Sequence, residues 1–180
     1  MLARMDTPFR YSAAQRALHW AMALIILVAI ALGAWAATLP SGVSPRSELL
    51  YVHKSLGMLA LVLLVVRVAV RALRGAPGWR VPLPPAIRAA AHAGHGLLYA
   101  LMLAMPVSGY VLSAAGGHPI PFFGLFSWPI LVDKYKPLSE AAGGAHYWLA
   151  WAMGAIVAVH VAAALWHHIV RKDETLLRMR

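Results

Sequence analysis

Four long apolar stretches constrain this chain more than any other feature of its sequence. They cover about residues 17–37, 49–73, 89–114 and 144–168, and each is long enough to cross the roughly 30 Å hydrocarbon core of a bilayer as a helix. The chain of 180 residues is 61% hydrophobic and only 12% charged, which is more apolar surface than a soluble domain needs. We therefore predict an all-α integral membrane protein, a four-helix bundle forming one domain over residues 1–180.

Positive charge is concentrated at one end of the predicted bundle. A net charge of +10 could suggest nucleic acid, but its distribution follows the membrane topology instead. The positive-inside rule then places both termini in the cytoplasm, and we predict no nucleic-acid partner. Twelve of the sixteen basic residues lie on the predicted cytoplasmic side: Arg4, Arg10, Arg16, Arg67, Arg71, Arg74, Arg80, Arg88, Arg171, Lys172, Arg178 and Arg180. The other four are Arg46, Lys54, Lys134 and Lys136.

The chain contains no cysteine. Disulfides, iron–sulfur clusters and thiolate metal sites within it are therefore excluded. Any redox chemistry needs a cofactor held by histidine or a diffusible one.

Histidine is frequent for so apolar a chain, with nine residues in all. A ligating side chain inside a membrane is costly, so each histidine is a candidate for function. His146 and His160 are fourteen residues apart in the last stretch. On an α-helix this spacing turns through about 1400°, leaves the rings within roughly 40° of each other and rises about 21 Å. Two histidines thus share one helix face at two depths, which suits two haems stacked across a membrane.

The predicted topology gives each of these histidines a partner at its own depth. His53, near the outer start of the second stretch, matches His146, and His19, near the inner start of the first, matches His160. Each pair comes from two different helices, which leaves room for a macrocycle between the rings. We therefore predict His19, His53, His146 and His160 as the ligands of two haem irons.

Other interpretations of the same histidines stay open. Taken singly, each could instead pack alone or hydrogen-bond a carbonyl across helices. Zinc and copper also bind imidazole, but zinc usually takes more ligands, and these pairs have no nearby carboxylate or thiolate. Haem iron needs two axial ligands, and each pair supplies two.

Arg67 follows His53 by fourteen residues, so it shares that helix face at a depth near that of His160. It could extend to the cytoplasmic headgroups or pair with a haem propionate. His92 and His95 open the third helix and could hydrogen-bond a quinone, relay a proton or lie at the interface. The remaining three histidines are expected near the interface: His118, His167 and His168. Neither these three nor His92 and His95 are assigned as haem ligands.

The second outer loop, residues 116–143, carries five aromatic residues. Aromatics at this level usually form an interfacial belt, which we expect here; the alternative is a half-buried or re-entrant segment that covers a cofactor. The five aromatics are Phe122, Phe123, Phe126, Trp128 and Tyr135.

Two local signals concern the helices themselves. We expect a capping box at Ser12–Gln15 and a kinked or loosened third helix at Pro106 and Gly109.

Short motifs along the whole chain carry a family resemblance. They are Ala-Leu-His19-Trp20, Tyr51-Val-His53-Lys-Ser-Leu-Gly57, Ala91-His-Ala-Gly-His95, Met105-Pro-Val-Ser-Gly109, Val159-His160-Val-Ala-Ala-Ala-Leu-Trp-His-His168 and Lys172-Asp-Glu-Thr-Leu-Leu-Arg178. Together with the four histidines they resemble the bacterial cytochrome b561 family, which are four-helix di-haem proteins of the inner membrane. The closing motif makes the resemblance specific.

The resemblance implies two haem b groups on His19, His53, His146 and His160, the set that depth matching also gives. It also implies electron exchange with ubiquinone in the bacterial inner membrane. One branch of the family resembles a superoxide oxidase, which passes an electron from periplasmic superoxide to quinone.

We therefore expect a quinone-linked oxidoreductase with a periplasmic electron donor, for which superoxide is a candidate. One alternative is a haem b subunit of a multi-subunit dehydrogenase or hydrogenase, although the chain has no extra helix or long extension. The other is a non-catalytic metal-binding membrane bundle. A homo-oligomer or a partner redox subunit is compatible with these interpretations.

Overall fold

The structure, a computed structural model, describes residues 9–78 and 83–180. In that part of the chain it contains four long helices, α1 Ala13–Ala37, α2 Arg46–Arg74, α3 Pro85–Ala115 and α4 Lys136–Trp166. All four are long and apolar enough to cross a membrane. The predicted all-α membrane bundle is confirmed, whereas the orientation of the termini stays a prediction. Arg4 and Arg80 of the charge pattern lie outside the described residues.

The helices α2, α3 and α4 begin earlier than the apolar stretches do. Pro85 stands in the first turn of α3, and Pro137 in the first turn of α4. Proline suits this position because its fixed φ matches a helix and its missing N–H would have no helical partner there. A hydropathy pattern identifies only the apolar part of a helix, so it places the start of these helices after their first turns. Helix α4 has 31 residues and is about 46 Å long, so its ends extend beyond the hydrocarbon core.

Two local sequence signals, the capping box of α1 and the proline inside α3, can be compared with the structure. The Ser12 side chain accepts from the Gln15 backbone N–H while the Gln15 side chain returns to the Ser12 backbone, so the predicted capping box is confirmed. Helix α3 continues through Pro106 as one helix. The hydroxyl of Ser108 donates to the carbonyl of Met105 at 2.8 Å just beyond the proline.

Two helical hairpins make up the bundle. Helix α1 packs mainly against α2, and α3 packs mainly against α4. A smaller contact between α2 and α3 joins the two hairpins. This contact joins the hairpin that carries His19 and His53 to the hairpin that carries His146 and His160.

The second outer loop folds back onto the bundle. Its short antiparallel strands, β1 Pro121–Phe122 and β2 Phe126–Ser127, form a hairpin next to buried Ile120. Ile120 packs with Met58 of α2 and Ala114 of α3, and Phe122 and Trp128 contact this cluster. The loop is therefore anchored to the bundle by its packed part, while the expected aromatic belt stays a prediction. Its aromatics divide into this packed pair and an exposed group: Phe123, Phe126 and Tyr135.

The C-terminal segment folds back at the opposite end of the bundle. After α4 a π-helical turn, His167–Arg171, leads to a short 3-10 turn, Leu177–Met179. Arg178 is 3% exposed and donates to the carbonyls of Phe9 and Pro77. The indole N–H of Trp20 donates to the carbonyl of Met179 at 2.9 Å. These bonds hold the last residues of the chain to Phe9, to Pro77 after α2 and to α1.

Candidate functional site

Two histidine pairs meet inside the bundle, in the combinations that depth matching predicted. The ring centres of His53 on α2 and His146 on α4 are 6.0 Å apart. Those of His19 on α1 and His160 on α4 are 6.3 Å apart. A metal–imidazole bond is about 2 Å long, so two rings on opposite sides of one iron have centres roughly 6 Å apart. Both separations fit a shared axial iron, although ligation itself stays a proposal.

His53 lies in a notch on the neighbouring helix α1. Its Nδ1 is 2.8 Å from the carbonyl oxygen of Ala29. One helical turn later stands Gly33, where a Cβ would come within 2.8 Å of the His53 ring. The ring reaches the carbonyl because glycine leaves the space beside it open.

His146 lies in a notch of the same kind on α3. Its Nδ1 is 3.1 Å from the carbonyl of Met105 and 3.0 Å from the hydroxyl oxygen of Ser108. Gly109 follows Met105 by one turn, and a Cβ there would be 3.0 Å from the ring. The two hairpins therefore present their histidines in equivalent ways.

These notches determine which ring nitrogen is available to a metal. A carbonyl oxygen can only accept, so Nδ1 of His53 and of His146 must carry the proton and donate it. The lone pair is then on Nε2, which is the arrangement that metal-ligating histidines adopt when a carbonyl orients them. The outer pair thus matches haem ligation in spacing and in tautomer.

The inner pair is arranged differently around Arg67. The Nη2 of Arg67 is 3.3 Å from Nδ1 of His19, and its Nε donates to the hydroxyl of Tyr99 at 3.3 Å. A guanidinium only donates, so Nδ1 of His19 is the acceptor here and the ring proton is on Nε2. Ligation through Nε2 therefore requires Arg67 to release Nδ1. The structure places Arg67 beside His19 and Tyr99, and its pairing with a haem propionate stays a prediction.

A third histidine, His95 of α3, reaches the inner pair. Its ring centre is 5.6 Å from that of His160. The sequence alone leaves open whether His95 hydrogen-bonds a quinone, relays a proton or lies at the interface. Depth matching could have indicated this contact, because His95 lies in the first half of α3 and His19 in the first half of α1, and both helices begin at the same end of the bundle.

The other histidines lie away from both pairs. His92, His118 and His168 are exposed. His167 is instead buried against the C-terminal turn, with Nδ1 2.5 Å from Oδ2 of Asp173.

Asp173 is an acceptor at the centre of this C-terminal turn. Burial alone would raise the pKa of its carboxyl. Hydrogen bonds from Thr175, His167 and Arg171 outweigh that effect and hold the pKa well below its ordinary value.

The surroundings of the outer pair carry several cations, and most contact the loops. Lys54 donates to the carbonyl of Pro119 at 3.1 Å, and Arg46 donates to that of Leu39. Lys136 forms an exposed ion pair with Glu140 at 3.6 Å. Exposed pairs of this kind contribute little, so these cations mainly hold the loop in place.

A multidentate metal site is not formed by the described residues. Within residues 9–78 and 83–180, no three His, Cys, Asp or Glu side chains converge on one point. Zinc usually takes three or four protein ligands, whereas haem iron needs two. The donor set therefore suits haem better.

Comparison with known proteins agrees with this geometry. The family model described as prokaryotic cytochrome b561 matches residues 10–180. This chain belongs to the prokaryotic cytochrome b561 family. The family implies haem b binding and membrane electron transfer, so the predicted resemblance is confirmed.

Individual members of the cytochrome b561 family are similar over nearly their whole length. Cytochrome b561 homolog 2 of Escherichia coli K12 is 40% identical over 97% of this chain and 93% of that protein. The probable superoxide oxidase CybB of Yersinia pestis is 33% identical over 94% of this chain and 95% of that protein. Cytochrome b562 of Cereibacter sphaeroides is 32% identical over 94% of each.

Proposed function

We propose that this protein is a di-haem b-type cytochrome that transfers electrons from a periplasmic donor to ubiquinone across the bacterial inner membrane. His53 and His146 would hold the outer haem, and His19 and His160 the inner one. The observation that carries the proposal is the pair of matching notches, each of which leaves the Nε2 of an outer histidine free for iron. When bound, the haems supply one-electron transfer.

Helix α4 sets the distance between the two sites. It contributes one ligand to each pair, and its fourteen-residue spacing corresponds to a rise of about 21 Å. The two sites therefore divide the thickness of the membrane between them. An electron that enters at one face of the membrane could pass from one haem to the other and leave near the opposite face.

The outer loop is attached to the bundle close to the outer pair. Ser55, two residues after His53, is fully buried. Its Oγ contacts the carbonyl of Pro121 and accepts from the backbone N–H of Phe123, both at 3.1 Å. The hairpin is thus attached to the helical turn that carries His53. An apolar, water-poor surrounding is one of the factors that set a haem potential.

Superoxide is the donor that we propose. The support is the 33% identity to a relative named as a probable superoxide oxidase. Two superoxide anions would give two electrons and release two dioxygen molecules, and one ubiquinone with two protons would become ubiquinol.

Stopped-flow mixing of the purified haem-loaded protein with superoxide tests this function. We expect fast reduction of the haem absorbance bands and rapid reoxidation when ubiquinone is present. Absence of a Soret band would refute haem binding altogether. A haem protein that superoxide does not reduce, but that co-purifies with a dehydrogenase or hydrogenase subunit, would establish the subunit function instead.

A further inference from the structure

A basic cavity lies at the end of the bundle where α1 begins and α2 ends. It has a volume of about 580 Å³, within the range of small-molecule binding pockets. Three arginines line it: Arg10, Arg16 and Arg74. Among the described residues that line it, none is acidic. No acidic side chain among the described residues therefore neutralises the three arginines within the cavity.

The walls of this cavity are held by bonds between distant parts of the chain. The side chain of Gln15 on α1 donates to the carbonyl of Gly75 after α2 at 2.9 Å. Arg178 donates to the carbonyl of Pro77, and its own carbonyl accepts from the backbone N–H of Tyr11 at 3.0 Å. The cavity is thus formed before any ligand arrives, which lowers the entropic cost of binding.

The arginines retain donors for an anionic ligand. Arg16 donates from Nη1 to the carbonyl of Tyr11 at 2.6 Å, which holds the side chain in place. A guanidinium has five N–H donors, so most of those on Arg16 are still available. The planar fork of each guanidinium matches two oxygens of a phosphate.

The depth of the cavity identifies the source of that phosphate. Helix α1 has 25 residues and is about 38 Å long, so its first turn lies beyond a hydrocarbon core of about 30 Å. Arg74 is the last residue of α2 and lies at the same end. The first turn of α1 and Arg74 are therefore at the level of the lipid headgroups, where basic pockets between membrane helices bind anionic lipids.

We propose that this cavity binds the phosphate headgroup of an anionic phospholipid. A zwitterionic headgroup would bring its own ammonium group among three arginines, so it would bind more weakly. The proposal is independent of haem chemistry, because neither the predicted iron ligands nor Arg67 lines the cavity.

Titration of the haem-loaded protein in neutral detergent with phosphatidylglycerol tests the site, with binding followed by native mass spectrometry. Arg74→Gln is the test variant, and Arg88→Gln, which removes an exposed charge at the start of α3 outside the cavity, is the matched control. We expect Arg74→Gln to weaken binding roughly fivefold and Arg88→Gln to leave it unchanged. Phosphatidylcholine should bind more weakly to the unaltered protein.

Three results would overturn the proposal. Equal losses in both variants would mean general attraction to a basic surface. Equal binding of phosphatidylcholine would exclude selectivity for anionic lipid. Displacement of the lipid by millimolar inorganic phosphate would indicate a site for a soluble anion. If Arg74→Gln fails to fold, as judged by a changed haem spectrum, Arg10→Gln provides the same comparison.

Discussion

The imidazole of His53 lies against Gly33 so closely that a Cβ at this position would be 2.8 Å from Cε1 and 3.0 Å from Nδ1 of the ring. Gly109 stands in the same relation to His146, with a Cβ 3.0 Å from Cε1. Each glycine shares a hairpin with its histidine: α1 with α2, and α3 with α4. The two halves of the outer site are therefore formed within separate hairpins, and the contact between α2 and α3 brings them together.

Replacing Gly33 by alanine should remove the outer haem. The methyl group would force the His53 ring away from the carbonyl of Ala29, and the ring would lose the orientation that frees Nε2. We expect haem content to fall from two toward one per chain, as measured by the pyridine haemochrome assay. Gly144→Ala, an exposed position on α4 with open space around a Cβ, should keep both haems. Full haem content in Gly33→Ala would contradict the claim that His53 needs the open space beside Gly33 to bind haem.

Replacing His146 by alanine should remove one haem and leave the inner one. His146 contributes only to the pair with His53, whereas His160 keeps its contact with His19. We expect half of the haem content and loss of one of two electron paramagnetic resonance signals. Loss of both haems, or of neither, would count against the pairing.

Ser55→Ala should loosen the outer hairpin. The mutation removes the hydrogen bond that the backbone N–H of Phe123 donates to the buried Ser55 hydroxyl, and such a bond contributes about 1 kcal/mol. We expect a lower thermal midpoint and faster hydrogen exchange in residues 117–130. Ser47→Ala, at an exposed hydroxyl, is the control and should change neither measurement. Unchanged exchange in Ser55→Ala would mean that other contacts hold the hairpin.

Arg67→Gln should lower the reduction potential of the inner haem only. Arg67 contacts His19, so losing its positive charge would favour the more positive, oxidised iron at that site. Redox titration monitored by visible absorbance resolves the two haems. Arg88→Gln removes the same charge from an exposed position and should leave both potentials unchanged. A shift of the outer haem instead would contradict the depth assignment.

Protonation of Asp173 should release the C-terminal turn at acidic pH. Because its pKa is held below the ordinary value of 3.8, the carboxylate stabilises the fold above that pH, and this contribution is lost as the pH falls below it. Trp20, which donates to the carbonyl of Met179, reports the release by fluorescence. Asp173→Asn should show the released signal already at neutral pH. A wild-type signal for Asp173→Asn would show that the bonds of Arg178 alone hold the turn.

Much of this arrangement could be predicted because it depends on spacing along one helix. The fourteen residues between His146 and His160 fix their common face and separation in any regular helix. The apolar lengths fix the number of membrane spans, because each backbone polar group in lipid must find its partner within its own helix. Those local regularities were enough to pair the four histidines by depth.

The contacts between helices could not be read in the same way. That His53 uses the carbonyl of Ala29 beside Gly33, that Arg67 faces His19, and that His95 reaches His160 all depend on how neighbouring helices are rotated and shifted. Packing of side chains far apart in the sequence decides those angles. The sequence by itself determined four membrane helices and two depths of paired histidines. Only the tertiary structure decided which nitrogen of His53, His146 and His19 is free, because a ring's tautomer depends on the groups that surround it.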